Sequence, residues 1–462
     1  MQTRYLSDIE DKRLMKRGNS ILNRLFSNSV HSIRRMTADD SEAKAFYRFL
    51  QNDHVTEADL VRNMAANCKS CVAGKTVLCI QDSSEINLFR HRNRLKKDDH
   101  IGVTNASDSG LGFFIHPGFV LDAETLMPYG FSHVKIWNRG HETVAKDKSH
   151  AKNMVPVTEK ESYKWIESSI KSKETLAAAQ QIIIIQDREA DIYEQFCLVP
   201  DERTHLLIRA KANRQLANQR RLFEHLSAQS LQGQYQILLE GDKRRNIKKR
   251  TAIIEVRFSK VTISRNQYND KSLPATKELY AIEAREATEG IEHPILWRLL
   301  TTQAVESLDM ALRCIEWYTC RWIIEEVFRM LKKEGFNIEG SELAQGKSIR
   351  KLCLLMLETI IKLFLMQMAY SMEEEQVPPQ SCFSEPEIEC MEQQMEQLEG
   401  RTAKLKNPYI PSDLKRYIWV VARLGGWKGY SSERKPGITT FWIGLKKLSA
   451  IMQGWYCKYP EC

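Results

Sequence analysis

The sequence predicts an α/β fold built on a buried parallel strand, and three observations carry that reading. Gln181-Ile-Ile-Ile-Ile-Gln186 is an unbroken apolar run of strand length, the pattern of a strand covered on both faces. Strand-like segments precede it at 76–81, 112–121 and 133–137, and a helix-like stretch leads into it. Beyond it the pattern changes first to successive β runs and then to helices. A chain of 462 residues, 42% hydrophobic and 27% charged, has the composition of a globular protein with room for several domains.

Taken in order, the first 70 residues read as helical, because 20–25 and 42–50 space apolar residues three and four apart. Residues 158–177 read as a helix opened by a capping box of Thr158 and Glu161. The β runs at 206–209, 235–239, 252–263, 279–284 and 295–300 read as an inserted β-subdomain, with a basic loop at 243–250 inside it. Helices dominate from 308 onward. The most apolar stretch, 352–368, carries Glu358 and Lys362, which favours a buried helix over a membrane span. The expected layout is a helical segment at 1–70, a core at 71–370 with its β insertion at about 205–302, and a helical region at 371–462.

Lys and Arg number 68 against 59 Asp and Glu, a net charge of +9. The distribution says more than the total. Residues 12–35 hold seven basic side chains and no acid, 371–400 hold nine Glu and no Lys or Arg, and 401–458 hold twelve basic residues against Asp413 and Glu433. Solvated helix faces account for such runs; two surfaces for a phosphate backbone account for them equally. The eleven Cys have no regular spacing and no apolar leader precedes them, so the thiols read as reduced and the chain as cytoplasmic. Membrane, collagen-like and secreted-scaffold classes do not fit this composition.

Two carboxylates close strands: Asp82 ends the 77–81 run and Asp187 ends the 182–186 run. Strand carboxyl ends are where open α/β sheets bind ligands, and paired carboxylates suit hard cations such as Mg²⁺. Turn capping is the alternative role for a strand-end Asp. A third acid sits in the helical pattern around 318–332. Setting Tyr318 at zero on one continuous helix puts Arg321 near ~300°, Glu325 near ~340° and Lys332 near ~320°, with Glu326 facing away near ~80°. That stripe is either an exposed ion-pair face or a set of phosphate ligands beside a metal-binding acid, the arrangement for in-line phosphoryl transfer.

The spacing Tyr318-x2-Arg321-x3-Glu325-x6-Lys332 resembles the YREK signature of the insertion-sequence-four family of DDE transposases, including its Tn-five-type members. Gln186-Asp-Arg-Glu-Ala-Asp-Ile192 resembles the block around that family's second catalytic Asp. Likeness extends to 46–50, 160–165, Arg209-x-Lys211, Leu296-Trp297 and 422–427. The resemblance implies an RNase H-like catalytic core with an inserted β-subdomain, flanked by an N-terminal helical DNA-binding domain and a C-terminal dimerisation region. It implies cut-and-paste transposition through a hairpin on the transposon end, followed by joining to target DNA within a homodimeric synaptic complex. Asp82, Asp187 and Glu325 carry over as catalytic ligands of Mg²⁺, two ions, with Mn²⁺ as a substitute. Tyr318, Arg321 and Lys332 carry over as transposon-end phosphate contacts, and Trp297 as the residue that stacks near the extruded base. Arg209, Lys211 and Arg214 would add phosphate contacts, and Arg13, Arg17 and Arg48 belong to the N-terminal recognition surface. A bacterial, nucleoid-associated location and no membrane partner follow. On residues alone Trp297 reads as core, sharing a strand face with Ile295 and Leu299. A non-catalytic regulator of transposition and a nuclease that cuts without joining are the other readings.

Overall fold

A computed structural model describes residues 6–7, 9–27, 32–96, 99–104, 110–140, 155–239, 249–291, 294–372, 376–430 and 433–458. All but the last two residues of the basic loop at 243–250 lie outside this set. The chain forms two compact units: a sheet unit from 74–82 and 144–324, and a helical unit from 1–73, 83–143 and 325–462.

In the sheet unit the strands are β1 (Thr76–Gln81), β2 (Gln181–Gln186), β3 (Thr204–Arg209), β4 (Gly233–Leu239), β5 (Arg250–Ser264), β6 (Thr276–Glu286) and β7 (Leu296–Thr301). Their spatial order is β1-β2-β3-β7-β6-β5-β4. The first three run parallel; each later neighbour is antiparallel. Ile182, Ile183, Ile184 and Ile185 are buried, as expected of a parallel strand covered on both faces. One expectation changes. β3 was grouped by sequence with the insertion, yet it pairs parallel with β2, and β7 pairs with it in turn. Leu206, Leu207 and Ile208 are all fully buried, so β3 has the two-sided burial of a central strand. The later β runs extend this same sheet edge to edge.

The helix before β2 spans Tyr163–Thr175, and the Thr158–Glu161 capping box does not form. Val157–Glu159 make a separate single turn after the extended Pro156, and Lys160 returns to extended backbone, which uncouples that turn from the helix. The continuous helix expected through 318–332 is also broken. Leu308–Thr319 ends at Cys320, a second helix spans Trp322–Arg329, and Met330–Glu334 form a π turn. The amides of Cys320, Arg321, Ile323 and Ile324 all bond three residues back, overwinding the junction. The single-stripe arithmetic from Tyr318 to Lys332 therefore fails across the junction and holds only within Trp322–Arg329.

In the helical unit, Gly346–Ser371 is the core. It is long and apolar enough to cross a membrane, but 83% of its most apolar window is buried inside the protein. Helices Lys12–Ser27, Asp40–Gln51 and Glu57–Lys69 pack against it, and strand Pro128–Trp137 adds to the same core. Strand Leu111–Asp122 pairs antiparallel with Ser84–Asn87, Gly102–Val103 and Pro128–Trp137. Ile21, Leu22 and Leu25 are buried, so the basic first helix is an integral part of this core. Cys68 and Cys71, a Cys-x-x-Cys pair that the reading of irregular spacing passes over, are both free thiols.

The Glu-rich stretch 371–400 contains the helix Glu385–Leu398, opened by a capping box of Ser384 and Glu387. Glu392 on it accepts from Arg416 Nε at 2.8 Å, Arg416 Nη2 at 2.9 Å and Tyr417 Oη at 2.8 Å. The Arg416 guanidinium holds the Glu392 carboxyl below its ordinary 4.5, against the opposing effect of burial. A carboxyl depressed on folding stabilises the protein above its unfolded value, and that contribution fades as pH falls through the folded one. Glu392→Gln should therefore lower the melting temperature at neutral pH, with a smaller deficit at about pH 4. Thermal unfolding at both pH values checks this; an equal deficit at both rejects the pairing as the source.

Candidate active site at the strand ends

β1 and β2 pair in register from Thr76↔Gln181 to Gln81↔Gln186, so Asp82 and Asp187 leave adjacent parallel strands at the same level. Neighbouring strands lie about 4.8 Å apart, which brings the two acids to one edge of the sheet. Asp187 precedes a single turn, Arg188–Ala190, but its side chain makes no capping bond, so turn capping does not account for it. Asp82 Oδ2 accepts from Arg321 Nη1 at 3.1 Å, with both side chains largely buried. Arg321 also lies 5.2 Å from the ring of Trp322, which is 57% exposed.

Tyr318 ends the preceding helix and is only 3% exposed. Burial pushes its phenol up to about 12, with Arg321, Asp187 and Arg209 as its charged neighbours. Its hydroxyl lies against the Arg321 guanidinium. The Trp297 ring meets Tyr318 edge-on at 5.7 Å and 70°. Trp297 is half-buried, so it is neither free surface nor full core. Arg209, at the end of β3, reaches the Leu296 carbonyl at 3.4 Å. The sheet unit thus gathers Asp82, Asp187, Arg209, Trp297, Tyr318 and Arg321.

Other expected contacts are placed differently. Arg214 forms an ion pair with the fully buried Asp191 carboxylate, whose other oxygen accepts the Lys211 amide at 2.8 Å; Lys211 itself is exposed. Lys332 lies on the π turn of the helical unit, 3.3 Å from Ser84 Oγ and 3.7 Å from Glu339 Oε1. Glu325, the first residue of that unit's last segment, is half-buried on the helix Trp322–Arg329. Glu326 accepts from Arg329 Nε at 3.0 Å. In the helical unit Arg13 and Arg48 are exposed and Arg17 half-exposed, on Lys12–Ser27 and Asp40–Gln51. Sequence reading missed Trp322 and Asp191; the first was detectable as an aromatic beside a motif Arg, the second only through its partner.

Among the described residues no three His, Cys, Asp or Glu side chains converge as a metal cluster. Asp82 and Asp187 carry the hard oxygen donors a divalent cation takes.

Residues 5–55 match a family model described as transposase DNA-binding, and residues 171–357 match one described as transposase DDE domain. The second match contains Asp187, Tyr318, Arg321, Glu325 and Lys332 and begins after Asp82; the first contains Arg13, Arg17 and Arg48. A cryo-EM structure of a piggyBac transposase synaptic complex with hairpin DNA is similar at 9% identity with a TM-score of 0.34, over 93% of this chain. The chain spans 63% of that one's length.

Proposed function

We propose that this chain, which carries a transposase DNA-binding segment followed by a transposase DDE domain, is a cut-and-paste DNA transposase. In this reading it cleaves transposon ends through a hairpin and joins them to target DNA. The observation that carries the reading is the pair of acids, Asp82 and Asp187, at registered ends of parallel strands, with the buried Tyr318 hydroxyl among Arg321, Asp187 and Arg209. Asp82 and Asp187, with Glu325 as the third acid, would hold the divalent ions, Mg²⁺ or Mn²⁺. Ions held by these residues would supply activation of water or a 3′ hydroxyl and stabilisation of the leaving oxygen.

The protein's own groups do the rest. Tyr318, protonated far above neutral pH, donates to a phosphate oxygen rather than accepting. Arg321 and Lys332 neutralise phosphate charge. Trp297 offers a ring for an extruded base, since a tight hairpin cannot keep every base stacked. Arg13, Arg17 and Arg48 supply the salt-dependent grip on the end sequence, and two copies of the chain act on paired ends. The test is incubation of the purified protein with its own flanking DNA ends and Mg²⁺, sizing products for nicks, hairpins and joined molecules. Nicks without hairpins or joints favour the nuclease reading; end binding without cleavage favours the regulator.

Trp297→Ala should slow hairpin formation about tenfold to a hundredfold relative to first-strand nicking, because base–aromatic stacking is worth about 1–3 kcal/mol. Time courses of the two products check it. An equal loss of both steps with a lowered melting temperature would assign Trp297 to packing against Tyr318 instead.

A further inference from the structure

Below the two strand-end acids lies a buried amide cluster that the proposed chemistry does not use, bonded throughout except at Gln195 Oε1. Gln186 Nε2 donates to Gln81 Oε1 at 2.7 Å and to Ser169 Oγ at 3.0 Å. Gln195 Nε2 donates to Gln186 Oε1 at 2.7 Å and to Ser169 Oγ at 3.1 Å. Gln81 Nε2 donates to Ser172 Oγ at 3.1 Å. All five side chains are fully buried. Amides taken from water this completely cost stability unless every member is bonded, and Ile or Leu would fill the same volume without that risk.

The strands explain why polarity is kept here. Val77-Leu-Cys-Ile80 faces Ile182-Ile-Ile-Ile185, and apolar runs buried on both faces look nearly the same after a slip of one residue. Hydrophobic burial alone therefore marks the register of β1 against β2 poorly. Gln81 and Gln186 are the registered polar pair, and a slip would break the amide contact and strand both groups in the core. A single buried Asn fixes register in coiled coils by the same logic. Gln195 adds a second restraint: its bond to Gln186 closes the segment 186–195 that carries Asp187.

We propose that Gln81, Gln186 and Gln195 are positioning residues that fix the register of β1 and β2, and hence the spacing of Asp82 and Asp187 for a divalent ion. This rests on the metal-binding reading of those two acids. The cluster touches neither metal nor DNA; it acts through the backbone of the residue that follows each Gln.

The test uses the full chain and Mn²⁺ alone, with binding read by water-proton relaxation and folding read by thermal unfolding. The triple variant Gln81→Met/Gln186→Met/Gln195→Met replaces the three amides together by apolar chains of similar shape, and Ser169 keeps its bond to the Trp165 carbonyl at 2.7 Å. Its unfolding midpoint should stay close to that of the parent, while Mn²⁺ affinity falls about tenfold or more, as for outer residues that orient metal ligands. Gln186→Asn, a second variant, keeps an amide too short to reach both neighbours and should weaken Mn²⁺ binding likewise. Asp187→Asn is the control for the underlying reading. Loss of Mn²⁺ by Asp187→Asn with parental affinity in both Gln variants overturns the positioning role and leaves the metal site standing. Parental Mn²⁺ binding by Asp187→Asn overturns the metal reading, and the positioning role with it.

Discussion

Asp187→Asn should abolish strand cleavage in Mg²⁺, a loss on the order of 10³-fold or more, while leaving transposon-end binding nearly intact. Asn keeps the shape of the side chain and removes the charge that a hard cation requires, and metal ions contribute several kcal/mol of transition-state stabilisation. Asp82→Asn should behave the same way, although it also releases Arg321, whose guanidinium sits 3.1 Å from the carboxylate. Glu325→Gln belongs with these two. Glu326→Gln does not: its carboxylate is bonded to Arg329 in an i,i+3 surface pair of small worth, and within the helix Trp322–Arg329 it points about 100° away from Glu325. Cleavage of a labelled end fragment by purified single mutants is the measurement, with a mobility shift as the binding control. An active Glu325→Gln protein beside a dead Glu326→Gln one would sink the assignment of the third acid.

The parts of this molecule legible in its sequence are those set by local pattern. β1 and β2 run over the residues expected because each is a short apolar run ended by a polar pair, Gln81-Asp82 and Gln186-Asp187. Those same run ends mark the two acids, although burial of the two strands does not by itself set their registered pairing. What local pattern does not contain is partnership across the chain. Arg321 and Asp82 meet over 239 residues, and β3 joins β2 while β7 joins β3, which no periodicity of β3 records. The break at Cys320 escaped because the apolar spacing of 314–331 runs through it; overwinding by three-residue bonds shifts the phase without altering the composition. The amide cluster is invisible for the same reason, since Gln81, Ser169, Gln186 and Gln195 become neighbours only when helix and strands assemble. Arg214 is the instructive case, a basic residue in a basic neighbourhood whose partner lies at the end of the motif block.

Arg214 is bound to Asp191, and that fixes what its removal should do. Asp191 is fully buried at its side chain while Arg214 keeps only 17% of its exposure, so the pair is an interior one. Removing either member strands the other, at a cost of about 3–5 kcal/mol. Arg214→Met should thus lower the melting temperature by roughly 6–20 °C, taking about 2–4 °C per kcal/mol for a unit of this size, and Asp191→Ala should do similarly while also losing the acceptor of the Lys211 amide. The double variant Asp191→Asn/Arg214→Met should lose clearly less than the two singles together, because neighbours in one network are not additive and Asn still accepts from that amide. A phosphate contact predicts the reverse pattern: Arg214→Met would keep its melting temperature and weaken end binding with a shallower salt dependence. Thermal unfolding and end-binding titrations on the three variants separate the two. An unshifted melting temperature in Arg214→Met would return this residue to the DNA surface; the expected drop, with binding per folded molecule unchanged, makes it the strut that holds the segment following Asp187 in place.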